Sequence, residues 1–203
     1  MEKKLLTIFG ASGLVGSSIL REALDKGYHV NGTLRDIEKQ DRITRLKSLP
    51  SGNNAKFFQA DMAEISSLDH PLINSDAAII CCLIPTYKGF DGTPAKELDD
   101  ERGYNEIIKP TVDGCLNILK SAKINNVKNI LICSSTSSTN PIPPVLVKNE
   151  LDHWSDEKEQ CNSKKYTSAA KTYMERAAFK FCDENNLRLS VFLPTGLYGP
   201  AIL

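Results

Sequence analysis

Leu5-Leu6-Thr7-Ile8-Phe9-Gly10-Ala11-Ser12-Gly13-Leu14-Val15-Gly16 carries an apolar, β-prone run into glycines at every third position and on into an amphipathic helix. Glycine is needed in such a turn because a Cβ would hold a pyrophosphate away from the backbone N–H groups, while the positive end of the following helix favours phosphate charge. A lone glycine triplet is a weak signal. Here a strand precedes it, and a helix with Leu14, Val15, Ile19, Leu20, Ala23 and Leu24 on one face follows, so the segment reads as a nucleotide-binding loop.

From that loop outward the period keeps alternating. Residues 28–34 read as a second strand, 37–49 as a charged helix closed by Pro50-Ser51-Gly52-Asn53-Asn54, and 56–60 as a third strand followed by Asp61. Residues 77–83 form a continuous apolar run, as in a strand covered on both faces. A Gly- and Pro-rich loop (85–94) leads to a long helix over 97–125 in which Pro110 marks a kink or restart. A strand (127–133), a polar, proline-rich excursion (134–162), a second long helix (163–186) and a last strand (187–193) complete the reading. Strand–helix–strand units joined by right-handed crossovers make an α/β fold: a Rossmann-type doubly wound parallel sheet, one nucleotide-binding domain over 1–203.

Composition narrows the partners. With 25 basic and 25 acidic residues the chain carries no excess cation to neutralise a nucleic-acid backbone. No stretch reaches membrane-spanning length, and Met1-Glu2-Lys3-Lys4 ahead of a short strand is too little for a signal peptide, so a cytoplasmic protein is expected. The six cysteines (81, 82, 115, 133, 161, 182) hold no C-x-x-C pair and sit mostly in apolar contexts, as structural thiols do. His29, His70 and His153 lack ligand spacing, so no metal site is expected.

Several segments together resemble the extended short-chain dehydrogenase/reductases, nearest the dihydroflavonol reductase and cinnamoyl-CoA reductase group. They are the glycine run, Asp61-Met62, residues 105–114 (NEIIKPTVDG), Ile132-Cys133-Ser134-Ser135, residues 171–178 (KTYMERAA) and residues 193–200 (LPTGLYGP). The resemblance implies an NADPH-dependent reductase acting on a ketone or aldehyde of a small, flat substrate. The cofactor would contact Gly10, Ala11, Ser12, Gly13, Leu14, Val15, Gly16, Arg35, Asp61, Met62, Cys82, Leu83, Lys171, Pro194, Gly196 and Leu197. A non-catalytic NADP(H)-binding module and a sugar-nucleotide epimerase or dehydratase are the alternatives. The family extends past residue 200 into a substrate lobe, which this sequence lacks or carries truncated. The two long helices are dimer surfaces by the same resemblance.

Cofactor choice turns on the end of the second strand. Where NAD-using relatives carry a carboxylate for the ribose 2′-hydroxyl this chain has Leu34, followed by Arg35, a cation suited to a 2′-phosphate unless it is spent on Asp36 or Glu38. By resemblance Asp61 hydrogen-bonds adenine and Met62 flanks it. The implied catalytic set is Ser135 polarising the carbonyl, with Ser134 and Thr136 as alternatives, Tyr166 as the acid and Lys171 lowering its pKa. One spacing departs from the family: Tyr166 stands five residues before Lys171 rather than four, and Thr167 takes the usual place. Five residues on a regular helix turn the tyrosine off the lysine's face. A π-bulge between the two, a helix starting only after Tyr166, and loss of the pair each account for the spacing, and the first is expected because such bulges gather at functional sites. Tyr87, Phe90 and Trp154 suit a flat substrate or simply pin their loops.

Overall fold

The computed structural model describes residues 4–82, 87–149 and 151–199. Its centre is one parallel sheet of six strands, β1 (Leu5–Phe9), β2 (His29–Leu34), β3 (Ala55–Gln59), β4 (Ala77–Ile80), β5 (Asn129–Cys133) and β6 (Arg188–Phe192), in the order β3-β2-β1-β4-β5-β6. The order reverses between β1 and β4, and the crevice beyond the carboxyl ends of those strands is where such sheets bind ligands. The helices are α1 (Leu14–Asp25), α2 (Gln40–Lys47), α3 (Asp69–Leu72), α4 (Asp100–Gly103), α5 (Lys109–Ile124), α6 (Glu157–Asn162) and α7 (Tyr166–Glu184).

Alternation along each strand builds two cores. Ile8, Val30 and Ile79 face α1 and meet Leu20, Ala23 and Leu24, whereas Phe9, Ala78, Ile80, Ile130 and Ile132 face α5 and α7 and meet Cys115, Ile118, Leu119, Met174 and Ala178. Both faces of the central strands are therefore covered, which is why residues 77–80 read as an unbroken apolar run.

Connections depart from the sequence reading for local reasons. The stretch after β3, without a clear period, folds as a short 3-10 turn (Ile65–Ser67) and α3, whose Pro71 carbonyl accepts from the buried Thr7 Oγ1 (2.6 Å) and Asn31 Nδ2 (2.8 Å). The helix expected over 97–125 is α4, a π-helical turn (Tyr104–Ile108) and α5, with Pro110 in the first turn of α5. Proline lacks an N–H and crowds the carbonyl four residues back, and a widened turn just before it absorbs both. The 134–162 excursion is pinned rather than loose: Ser155 Oγ donates to Ser137 O (2.7 Å) and accepts from Asn140 N (2.8 Å), and Gln160 Nε2 donates to Ser137 O (2.9 Å).

Candidate functional site

The nucleotide turn is built as its glycines demand. Gly10 has φ +84°, and a Cβ there would lie 2.9 Å from the backbone N and Cβ of Cys82, at the end of β4. At Gly16 a Cβ would stand 2.1 Å from the Gly10 carbonyl oxygen. Gly13 caps α1 with no side chain, and its N–H is tied to Gly10 O (3.0 Å), so the first N–H groups of α1 open on the crevice. Ala11 N donates to Thr33 O (3.0 Å), fastening the loop to β2. Ser12, Leu14 and Val15 complete the turn, Leu14 lying 42% exposed.

Arg35 follows β2 and is exposed. Asp36, its suggested partner, instead pairs with Lys39 (3.6 Å) and accepts the Glu38 N–H (3.0 Å); among the described residues Arg35 forms no ion pair with a carboxylate. Its charge acts on Cys82, as does that of Asp61 from the opposite sense, so Arg35, Asp61 and Cys82 share one neighbourhood beside the turn. Burial pushes the Cys82 thiol up to about 12, making it an inert wall. Asp61 caps its own loop by accepting Ala63 N (2.9 Å) on one carboxylate oxygen. Met62 is buried against Gly114, where an added Cβ would meet its Cε at 2.4 Å, so it serves the core beneath this neighbourhood. Leu83 lies outside the described residues. Pro194 follows β6 and accepts Thr136 N (3.1 Å), while Gly196 and Leu197 are exposed beyond it.

At the end of β5 two adjacent serines have different duties. Ser134 is buried and donates to Glu175, whereas Ser135 Oγ accepts Ser137 N (3.2 Å) and, among the described residues, donates to no acceptor. Of these two, Ser135 alone has a proton to offer. Lys171 comes up from α7 among Cys81, Cys115, Cys133 and Glu175, and burial lowers its pKa against the pull of those acidic groups.

Tyr166 is not brought to Lys171. No π-turn separates them, because α7 is regular α-helix from Tyr166 onward; among the described residues the π-turn lies at Tyr104–Ile108. Lys164 adopts φ 54°, closing α6 so that α7 begins at Tyr166 itself. The five-residue spacing then holds the tyrosine roughly 140° round the helix from the lysine. Its ring lies in the space left by Gly103, where a Cβ would meet it at 2.5 Å, among Leu98, Ile107, Ile108 and Ala169. Its hydroxyl donates to Asp100 Oδ1 (2.8 Å) and lies 3.4 Å from Leu98 O. The expected depression of its pKa is thus reversed: burial, then the bond to Asp100, push the phenol up to about 12. Asp100 is the residue that the sequence reading missed, being 66 positions away with nothing to mark it.

Trp154 packs edge-on against Phe179 (6.0 Å between centroids) with Arg176 over its ring, so it pins the excursion to α7. Tyr87 and Phe90 are about three-quarters exposed. Their loop is held by Arg102, which bridges Asp91 (2.8 Å) and Glu106 (2.6 Å), while Glu106 accepts Phe90 N (2.6 Å).

Residues 6–201 match the family model described as NAD dependent epimerase/dehydratase family. The chain belongs to this family. Within its reach are an anthocyanidin reductase ((2S)-flavan-3-ol-forming) of Vitis vinifera, 29% identical over 98% of this chain and 58% of its own length, and a dihydroflavonol 4-reductase of Gerbera hybrida, 31% identical over 96% and 52%. The chain thus spans a little over half the length of these family relatives. A solved structure of yeast methylglyoxal/isovaleraldehyde reductase complexed with NADPH superposes with a TM-score of 0.77 at 20% identity, over 98% of this chain and 60% of that one, sharing the fold. Among the described residues no helix is long and apolar enough to cross a membrane, and no cluster of three metal-ligating side chains occurs.

Proposed function

We propose that the chain binds NADP(H) and serves the reduction of a ketone or aldehyde on a small, flat molecule, in a cytoplasmic setting consistent with its six free thiols. The observation that carries this reading is the glycine turn with Arg35, uncommitted to any carboxylate among the described residues, standing beside it. Two glycines whose Cβ atoms would collide with backbone fit a pyrophosphate pressed against the turn, and Arg35 fits a 2′-phosphate. When bound, NADPH supplies the hydride. The protein's part is to orient and to supply the proton that balances the hydride: Ser135 would polarise the carbonyl oxygen through a hydrogen bond, Lys171 would hold positive charge near the ribose and the developing oxyanion, and Tyr166, released from Asp100, would give its phenol proton to that oxygen. The named activities of the flavonoid-reductase relatives support this substrate class. For Tyr166 to act as the acid its hydroxyl must leave Asp100, so that contact favours a second reading, NADP(H) binding without turnover. Pairing through the outer faces of α5 and α7 is the proposed dimer.

Titration of the purified chain with NADPH and NADH by nucleotide fluorescence, followed by NADPH oxidation against a dihydroflavonol and benzaldehyde, separates these readings. Tighter NADPH binding with turnover is expected; binding without turnover establishes the second reading. Preference for NADH overturns the assignment of Arg35 and returns the epimerase or dehydratase reading. Turnover that survives Tyr166→Phe removes that tyrosine as proton donor.

A further inference from the structure

Glu175 is 2% exposed in the second core of the sheet, a position carboxylates rarely occupy without partners. Its partners come from the site itself. It accepts the Ser134 hydroxyl at the end of β5, and Ser138 lies beside the same carboxylate while its hydroxyl also reaches Ser135 O (2.8 Å). It stands one helical turn after Lys171, on the same face of α7, and the two charges act on each other. Burial raises the pKa of the carboxyl, and the two serines and Lys171 pull it back.

Resting on the reading of Ser135 and Lys171 as reductase groups, we propose that Glu175 is a positioning residue. One buried carboxylate holds the serine-bearing turn (134–138) and supplies negative charge to the lysine one helical turn away, short of a direct ion pair. A hydrocarbon in its place would leave Ser134 without that acceptor and Lys171, among the described residues, facing the thiols of Cys81, Cys82, Cys133 and Cys115, which burial keeps neutral near pH 7. Of the groups that act most strongly on Lys171, Glu175 is the carboxylate.

The test reads Lys171 directly rather than through turnover. The pH dependence of its acetylation by acetic anhydride, resolved by peptide mass spectrometry, gives its titration midpoint, and hydrogen exchange of residues 134–139 reports on the turn. Glu175→Gln keeps an oxygen acceptor for Ser134 and loses the charge, so the midpoint moves to lower pH while the turn stays protected. Ser134→Ala does the reverse, with faster exchange in the turn and an unmoved midpoint. Glu175→Asp restores the charge on a shorter side chain and, if the glutamine variant fails to fold, tests the same split by returning the wild-type midpoint with a loosened turn. A wild-type midpoint in folded Glu175→Gln, a turn unaffected by Ser134→Ala, or a displaced midpoint in Glu175→Asp overturns the proposal. Failure of the wild type to bind NADPH would instead strike at the function it rests on, leaving the lysine titration to be judged separately.

Discussion

At Gly16 an added Cβ would meet the carbonyl oxygen of Gly10 at 2.1 Å and its carbon at 2.8 Å, and neither is the end of a flexible side chain. Gly16→Ala must therefore shift the turn itself, with an expected cost of about 2–3 kcal/mol in stability and at least a ~10-fold loss of NADPH affinity. Gly27 supplies the control: it has φ +81° but nothing within 4 Å of an added Cβ, so Gly27→Ala should cost only the ~1–2 kcal/mol of left-handed strain and leave NADPH affinity unchanged. Thermal melts and fluorescence titration of the two variants check both outcomes. Tyr166 offers a pH test. Its folded pKa, about 12, lies above the ordinary 10, so the proton it holds stabilises the fold fully below pH 10, and that contribution is lost as pH rises from 10 to 12. Urea midpoints across that window should fall more steeply for the wild type than for Tyr166→Phe, which at neutral pH is expected to be less stable by about 0.5–1.5 kcal/mol. The glycine turn was legible because its chemistry is local. The fate of Tyr166 was not, because Asp100 and Gly103 reach it across more than sixty residues and no spacing rule encodes that meeting.

At the scale of elements, all six strands and the long helices were legible from periodicity, since each buries a face or stripe that repeats every two or 3.6 residues. What periodicity missed were segments held by single polar contacts: α3 under Thr7 and Asn31, α6 ended by left-handed Lys164, and the π-turn before Pro110. That π-turn also carries Glu106, which with Asp91 grips Arg102 and staples the 88–94 loop. The Arg102 guanidinium holds both carboxyls below their ordinary values of 4.5 and 3.8. Asp91 is solvent-facing whereas the Glu106 side chain is only 13% exposed, so the Asp91 share belongs to the loop more than to global stability. With folded pKa values depressed, the staple is intact above pH 4.5 and is lost as pH falls through the folded values. Hydrogen exchange of residues 88–94 should therefore be slow at neutral pH and accelerate in acid beyond the intrinsic trend, and Arg102→Met should make it fast at both. Slow neutral exchange in Arg102→Met would mean that the loop is held by something other than these charges.

Across the whole molecule, the strand order β3-β2-β1-β4-β5-β6 follows from strand–helix alternation and right-handed crossovers, so the crevice could be located from sequence before any side chain was placed. On the proposed reading, a ligand lodged there would touch both halves of the sheet: the β1 turn and Arg35 on one side, Cys82 and the β5 end on the other. Binding should accordingly appear as global stabilisation rather than local tightening. A nucleotide at 100 times its Kd adds about 2.7 kcal/mol, which for a chain of 203 residues corresponds to a rise in Tm of roughly 5–10 °C. NADPH should produce that rise, and NADH at equal concentration a smaller one. If Arg35 meets the 2′-phosphate, Arg35→Ala should weaken NADPH by about tenfold and remove roughly 3–5 °C of its shift. The NADH shift should stay as it was, because NADH presents no 2′-phosphate to lose. Equal losses for both nucleotides would make Arg35 a support for the loop, and cofactor preference would then have to be sought at Asp61, whose charge also reaches Cys82.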